Sequence, residues 1–186
     1  MNRAVFLDRD GVINEAVVRD GRPLSPSSIG DVRLRPGVAE AIRRLRRAGF
    51  LIVVVTNQPD VGKGLVRREA VEAIHAELRR RLPIDDIKTC YHVDEDRCAC
   101  RKPKPGLLLE AARERTIDLG QSVMVGDRWR DIEAGRAAGC RTVLMHARYD
   151  ERQAEGADAV VHSMEEASMV ILSGRLAAIA PAGAPR

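Results

Sequence analysis

The chain has 186 residues, of which 45% are apolar and 31% charged, the balance of a soluble globular protein with mass for one α/β domain. No apolar run approaches the roughly 20 residues needed to cross a bilayer. The N-terminus runs directly toward a strand with no signal-peptide layout, so a cytoplasmic protein without membrane contact is expected. Aromatics make up only 3%, which argues against stacking platforms for single-stranded nucleic acid, while a net charge of +4 suits a small anionic substrate.

In chain order, residues 4–8 read as a first strand that ends abruptly in the acids of Asp8-Arg9-Asp10-Gly11. Residues 12–35 lack a clean period and carry Gly21, Pro23, Pro26 and Gly30, which reads as one long loop, a length usually tied to function. Pro36-Gly37-Val38 opens a helix with apolar residues at Val38, Ala41, Ile42 and Leu45, and Gly49 closes it. The unbroken run Leu51–Thr56 reads as a central strand buried on both faces and leads into Asn57 and Gln58. A Pro/Gly-rich loop to Gly64, a helix over 66–82 and a strand over 87–92 follow. Beyond a cysteine-bearing loop, Pro105 opens a helix to about Thr116. Residues 122–127 form a short strand ending at Asp127, followed by a helix over 130–138, a strand over 142–145, a sixth strand over 159–162 and a helix over 164–173. Residues 1–175 are expected to form one domain, and the Ala/Pro/Gly-rich tail from 176 to 186 to be disordered.

Alternating strands and helices predict a Rossmann-like parallel sheet with helices on both faces. In such a sheet all the C-terminal strand ends lie along one edge. Asp8 and Asp10, Thr56 and Asn57, and Asp127 should therefore meet in one cleft, with Asp131 nearby. Carboxylates suit a hard cation such as Mg²⁺. Together with a hydroxyl and the lysine of Arg101-Lys102-Pro103, they form equipment for handling a phosphoryl group.

Asp8-Arg9-Asp10-Gly11-Val12, Val55-Thr56-Asn57-Gln58, Arg101-Lys102-Pro103 and Val125-Gly126-Asp127-Arg128…Asp131 resemble the four ordered motifs of the haloacid dehalogenase-like phosphatases. The resemblance covers about residues 4–145. It implies Asp8 as a nucleophile that becomes an aspartyl phosphate, and Asp10 as the general acid/base. Thr56 and Lys102 would hold the phosphoryl oxygens. Mg²⁺ would be bound by Asp8, the Asp10 carbonyl and Asp127, with Asp131 in support.

Cys90, His92, Cys98 and Cys100 supply four N/S ligands in a C-x-H…C-x-C pattern, a closed set that describes a structural Zn²⁺ bracing the loop before Arg101 and Lys102. Cys140 stands apart and reads as a small buried hydrophobe. The cysteine pattern next to Arg-Lys-Pro resembles the D-glycero-D-manno-heptose 1,7-bisphosphate 7-phosphatases and the related histidinol-phosphatase group, compact members without a large cap domain. That implies a small phosphorylated sugar as substrate, contacted by Asn57, Gln58, Arg101 and Arg128. Pro59-Asp60 stands where these enzymes commonly have Ser-Gly, and Tyr91 where they have Pro; both changes fall in substrate loops. Histidinol phosphate is the alternative substrate. A nucleic-acid 3′-phosphatase or binding module, suggested by the arginine excess, is the alternative of another class. The absence of heptad repeats favours a monomer.

Overall fold

The computed structural model describes residues 1–174 and 176. Its centre is a six-stranded parallel sheet in the order β5-β4-β1-β6-β7-β8. The strands are β1 (Arg3–Leu7), β4 (Phe50–Asn57), β5 (Asp86–Cys90), β6 (Val123–Gly126), β7 (Arg141–Met145) and β8 (Ala159–Val161). Strand order reverses between β1 and β6, the switch point at which open α/β sheets form their ligand crevice.

The central strands alternate their side chains between two apolar layers. Val5, Leu7, Ile52 and Val54 pack on one face against α1 (Val38–Arg47), α3 (Arg68–Arg81) and α6 (Met164–Leu172). Ala4, Phe6, Val53 and Val55 pack on the other against α4 (Gly106–Arg115) and α5 (Trp129–Ala138). Because both faces are covered, the runs Ala4–Leu7 and Phe50–Val55 are apolar without a break and show no period of two.

Three expectations need correction. The segment 12–35 contains an antiparallel hairpin, β2 (Val17–Arg19) with β3 (Arg22–Leu24). Its turn is Asp20-Gly21, both at positive φ (50° and 72°), the conformation that Asp-Gly turns favour in two-residue hairpins. The loop after Gln58 holds a one-turn helix, α2 (Pro59–Gly62), with Pro59 in its first turn, where a missing N–H costs no hydrogen bond. The β5 strand stops at Cys90 rather than at 92, because the Cys90 carbonyl accepts from Gln58 N and the chain then turns into the cysteine cluster. In the tail, Leu176 is buried against the core and its carbonyl accepts from Arg141 Nη1. The remainder of the expected disordered tail lies outside the described residues.

Candidate active site

The ends of β1, β4 and β6 deliver the expected residues to one crevice. Asp8 follows β1 and Asp127 follows β6, on either side of the switch point. Lys102 enters from the loop before α4 and is 2% exposed. Its Nζ donates to Asp8 Oδ1 (2.7 Å), Asp131 Oδ1 (2.5 Å) and the Val55 carbonyl (2.8 Å). Asn57 holds that lysine's backbone from both sides: its amide donates to the Lys102 carbonyl and its oxygen accepts from Lys102 N, each at 3.1 Å.

Two glycines make room for the acids. A Cβ on Gly11, whose φ is +91°, would lie 1.8 Å from Asp127 Oδ2. One on Gly126 would lie 2.0 Å from the Asp131 Cβ. Asp131 also caps its own helix, since its Oδ2 accepts from Arg128 N at 3.0 Å.

One oxygen from each of Asp8, Asp127 and Asp131 can lie within 4.8 Å of the others. Three buried carboxylates face the single ammonium of Lys102, so full ionisation leaves two negative charges uncompensated. The pKa values reflect this. Burial pushes Asp8 up to about 6, against the pull of Lys102 and with added repulsion from Asp131 and Asp10. Asp127 is raised well above the carboxylate range, first by burial and then by Asp8 and Asp131. Its Oδ2 accepts from the Tyr149 hydroxyl (2.5 Å), but its buried Oδ1 has no hydrogen-bond partner among the described residues. The orphaned carboxylate oxygen and the excess negative charge both fit a divalent cation.

The side chain of Asp10 stands outside this triad. It receives Arg9 Nε (3.0 Å) and Nη2 (2.9 Å), Asn14 Nδ2 (2.9 Å), Ser25 Oγ (2.7 Å) and Gln58 Nε2 (3.0 Å). Burial works to raise its pKa, yet the Arg9 charge and the bonds from Arg9, Asn14 and Ser25 outweigh it and hold the carboxyl below its usual range. Gln58 also donates to Thr56 Oγ1 (3.0 Å).

A cavity of about 50 Å³ opens over these groups, lined by Asp8, Asp10, Thr56, Asn57, Lys102 and Asp131, with Arg128 and Arg130 at its rim. Arg128 is paired with Glu151. Arg101 turns toward the cysteine loop, donating to Asp94 Oδ1 (2.7 Å) and the His92 carbonyl (3.3 Å). A groove of about 430 Å³ adjoins the cavity and shares with it Leu24 of the hairpin and the next residue, Ser25.

The second cluster also assembles. The sulfurs of Cys90, Cys98 and Cys100 are 3.2–3.7 Å apart. His92 Nδ1 lies 3.6 Å from Cys90 Sγ and 3.2 Å from Cys100 Sγ. Those edges fall slightly inside the roughly 3.8 Å of a tetrahedron with about 2.3 Å metal–sulfur bonds, so the four ligand atoms are grouped closely enough to surround one ion. Asn57 and Gln58 thus serve the site's own framework, and Arg9, Asn14, Ser25, Arg130 and Tyr149 are residues that sequence reasoning did not single out.

The model of the haloacid dehalogenase-like hydrolases matches residues 15–139. The chain belongs to that family. A Helicobacter pylori relative named D-glycero-beta-D-manno-heptose-1,7-bisphosphate 7-phosphatase is 35% identical over 150 residues, covering 77% of this chain and 83% of its own. A Mycobacterium tuberculosis relative named for the alpha-heptose bisphosphate is 39% identical over 150 residues, covering 75% and 77%. Among solved structures, the D,D-heptose 1,7-bisphosphate phosphatase of B. bronchiseptica, complexed with magnesium and phosphate, superposes with a TM-score of 0.80 at 32% identity. That match covers 92% of this chain and 98% of the other. Among the described residues, no helix is long and apolar enough to cross a membrane.

Proposed function

We propose that the protein is a magnesium-dependent phosphatase that removes the C7 phosphate of D-glycero-D-manno-heptose 1,7-bisphosphate through an aspartyl phosphate on Asp8. The carrying observation is the convergence of Asp8, Lys102, Asp127 and Asp131, drawn from two strand ends, the first turn of α5 and one loop, around a cavity of phosphoryl size. The names of the relatives supply the sugar and do not favour histidinol phosphate.

In this reading an Asp8 carboxylate oxygen attacks phosphorus, and the bond from phosphorus to the C7 oxygen breaks with its electron pair on that oxygen. Lys102 neutralises charge beside Asp8 and, with the Thr56 hydroxyl, holds the phosphoryl oxygens. Asp10 gives a proton to the departing oxygen, then takes one from the water that attacks the aspartyl phosphate, releasing inorganic phosphate and Asp8. The free site keeps Asp10 ionised, and an arriving phosphate anion raises its proton affinity by like-charge repulsion.

Mg²⁺ would be held by Asp8, Asp127 and the Asp10 carbonyl with Asp131 in support, and when bound it offsets the excess negative charge and polarises the phosphoryl oxygens. The groove beside Leu24 and Ser25 gives room for the sugar, and Arg128 and Arg130 at the rim suit its second phosphate. Zn²⁺ at Cys90, His92, Cys98 and Cys100 would brace the loop that carries Arg101 and Lys102.

The test is a side-by-side comparison of phosphate release from the α- and β-heptose bisphosphates, hexose bisphosphates and histidinol phosphate with Mg²⁺. The highest kcat/KM on a heptose bisphosphate is expected. A preference for histidinol phosphate would overturn the assigned substrate.

A further inference from the structure

Behind Asp10 lies a polar chain that the proposed steps do not use. Arg9 is fully buried, and its guanidinium needs acceptors inside the protein. Nε and Nη2 go to the two Asp10 oxygens, and Nη1 lies 3.1 Å from Nε2 of His75. His75 sits on the inward face of α3 among Val71, Ile74 and Leu78 and is 1% exposed. A guanidinium only donates, so Nε2 is the unprotonated nitrogen and Nδ1 carries the hydrogen. Nδ1 faces Glu72 Oε2 at 3.6 Å, and Glu72 in turn accepts from the hydroxyl of Tyr91, which lies between two of the zinc-ligand candidates. Burial first, and then the Arg9 charge, lower the imidazole pKa to about 4, so the ring is neutral near pH 7.

We propose that His75 is a positioning residue for proton transfer by Asp10: its Nε2 accepts from Arg9 and thereby fixes the guanidinium that orients the Asp10 carboxylate. The inference rests on the reading of Asp10 as the proton donor. Asp10 leaves the strand within a tight turn, so its carboxylate direction depends on what it bonds. Of the four residues that donate to it, only Arg9 approaches both oxygens, as a fork. With the acceptor at Nη1 gone, the buried fork would rotate to find another and draw Asp10 with it. A neutral ring is the only form that serves, because an imidazolium would present a donor to a cation.

The experiment compares wild type, His75→Leu, His75→Gln and Asp10→Asn, each loaded with Mg²⁺ and zinc, on two substrates. The heptose bisphosphate has an alkoxide leaving group that needs a proton; p-nitrophenyl phosphate has one that does not. His75→Leu is expected to lower kcat/KM on the sugar, which reads the step that expels the leaving group and not the later hydrolysis of the aspartyl phosphate, by about 10- to 100-fold, a share of the 10²–10⁴-fold typical of general acid catalysis. The loss of kcat/KM on p-nitrophenyl phosphate should be at least about fivefold smaller. Glutamine keeps an acceptor oxygen near the Nε2 position and should recover the sugar activity to within about threefold of wild type. Equal losses on both substrates, or equal losses for leucine and glutamine, would show a packing role and overturn the proposal. If Asp10→Asn discriminates between the leaving groups and His75→Leu does not, only the role of His75 falls. If Asp10→Asn does not discriminate either, the reading of Asp10 falls, and His75 with it.

Discussion

The same imidazole ties the stability of the fold to pH. Folded His75 titrates at about 4 against 6.5 for an unperturbed histidine, because burial and the Arg9 guanidinium disfavour its charged form. Between those values the unfolded chain binds a proton that the folded chain does not. Stability from this residue is therefore fully present above pH 6.5 and is lost as pH falls toward 4. The complete offset is worth about 3 kcal/mol, and the part lost between pH 7.5 and pH 5 is about 2 kcal/mol. Asp8 works in the opposite sense over part of this range, since its raised pKa favours the protonated folded state as pH drops. The measurement should therefore be a difference between chains that share Asp8. Urea unfolding of wild type and His75→Gln at pH 5, 6, 7 and 7.5 gives that difference. The stability gap between the two chains should shift by about 2 kcal/mol across the series, in favour of glutamine at low pH. A gap that stays constant within about 0.5 kcal/mol would mean that His75 is charged or solvated in the fold, and would refute the neutral ring.

Replacing Lys102 with methionine removes the cation shared by Asp8 and Asp131 and leaves both carboxylates buried. The metal-free protein should lose roughly 3–5 kcal/mol by chemical denaturation at pH 8 and less at pH 5, where Asp8 can protonate; equal losses at both pH values would count against the charge balance described. Gly11→Ala would drive a Cβ into Asp127, so Mg²⁺-dependent activity should fall by more than about 100-fold while the far-ultraviolet circular dichroism stays native. Zinc should co-purify at one ion per chain. Its verified removal should speed hydrogen exchange in residues 91–101 and lower activity while the sheet stays folded; full activity after that loss would refute the bracing role.

The sheet was legible because its strands are buried on both faces. Runs such as Val53-Val54-Val55 admit little else, and the polar residues that close them mark the functional edge. Asp8, Thr56 and Asp127 could thus be placed together from the parallel topology alone. The hairpin escaped detection because each of its strands has three residues, one holding Pro23, although Asp20-Gly21 is a turn signal that could have located it. The α2 helix is a single turn, too short to show a period. The partners of Asp10 left no trace of their joint role: Arg9 looks like a charge between two acids, and His75 lies 66 positions away on another element. Tyr149 reaches Asp127 from an irregular loop where no periodicity constrains the chain. Asn57 was expected to meet substrate, and only the folded loop reveals that its amide holds the backbone of Lys102 from both sides.

The most direct test of the central claim is phosphorus NMR of heptose 1,7-bisphosphate turnover with Mg²⁺ by wild type and Asp8→Asn at matched folding. Wild type should lose the C7 resonance, keep the C1 resonance and release inorganic phosphate, while Asp8→Asn should release less than about one part in a thousand of that amount. Undiminished release by Asp8→Asn, or loss of the C1 phosphate in its place, would contradict the claim.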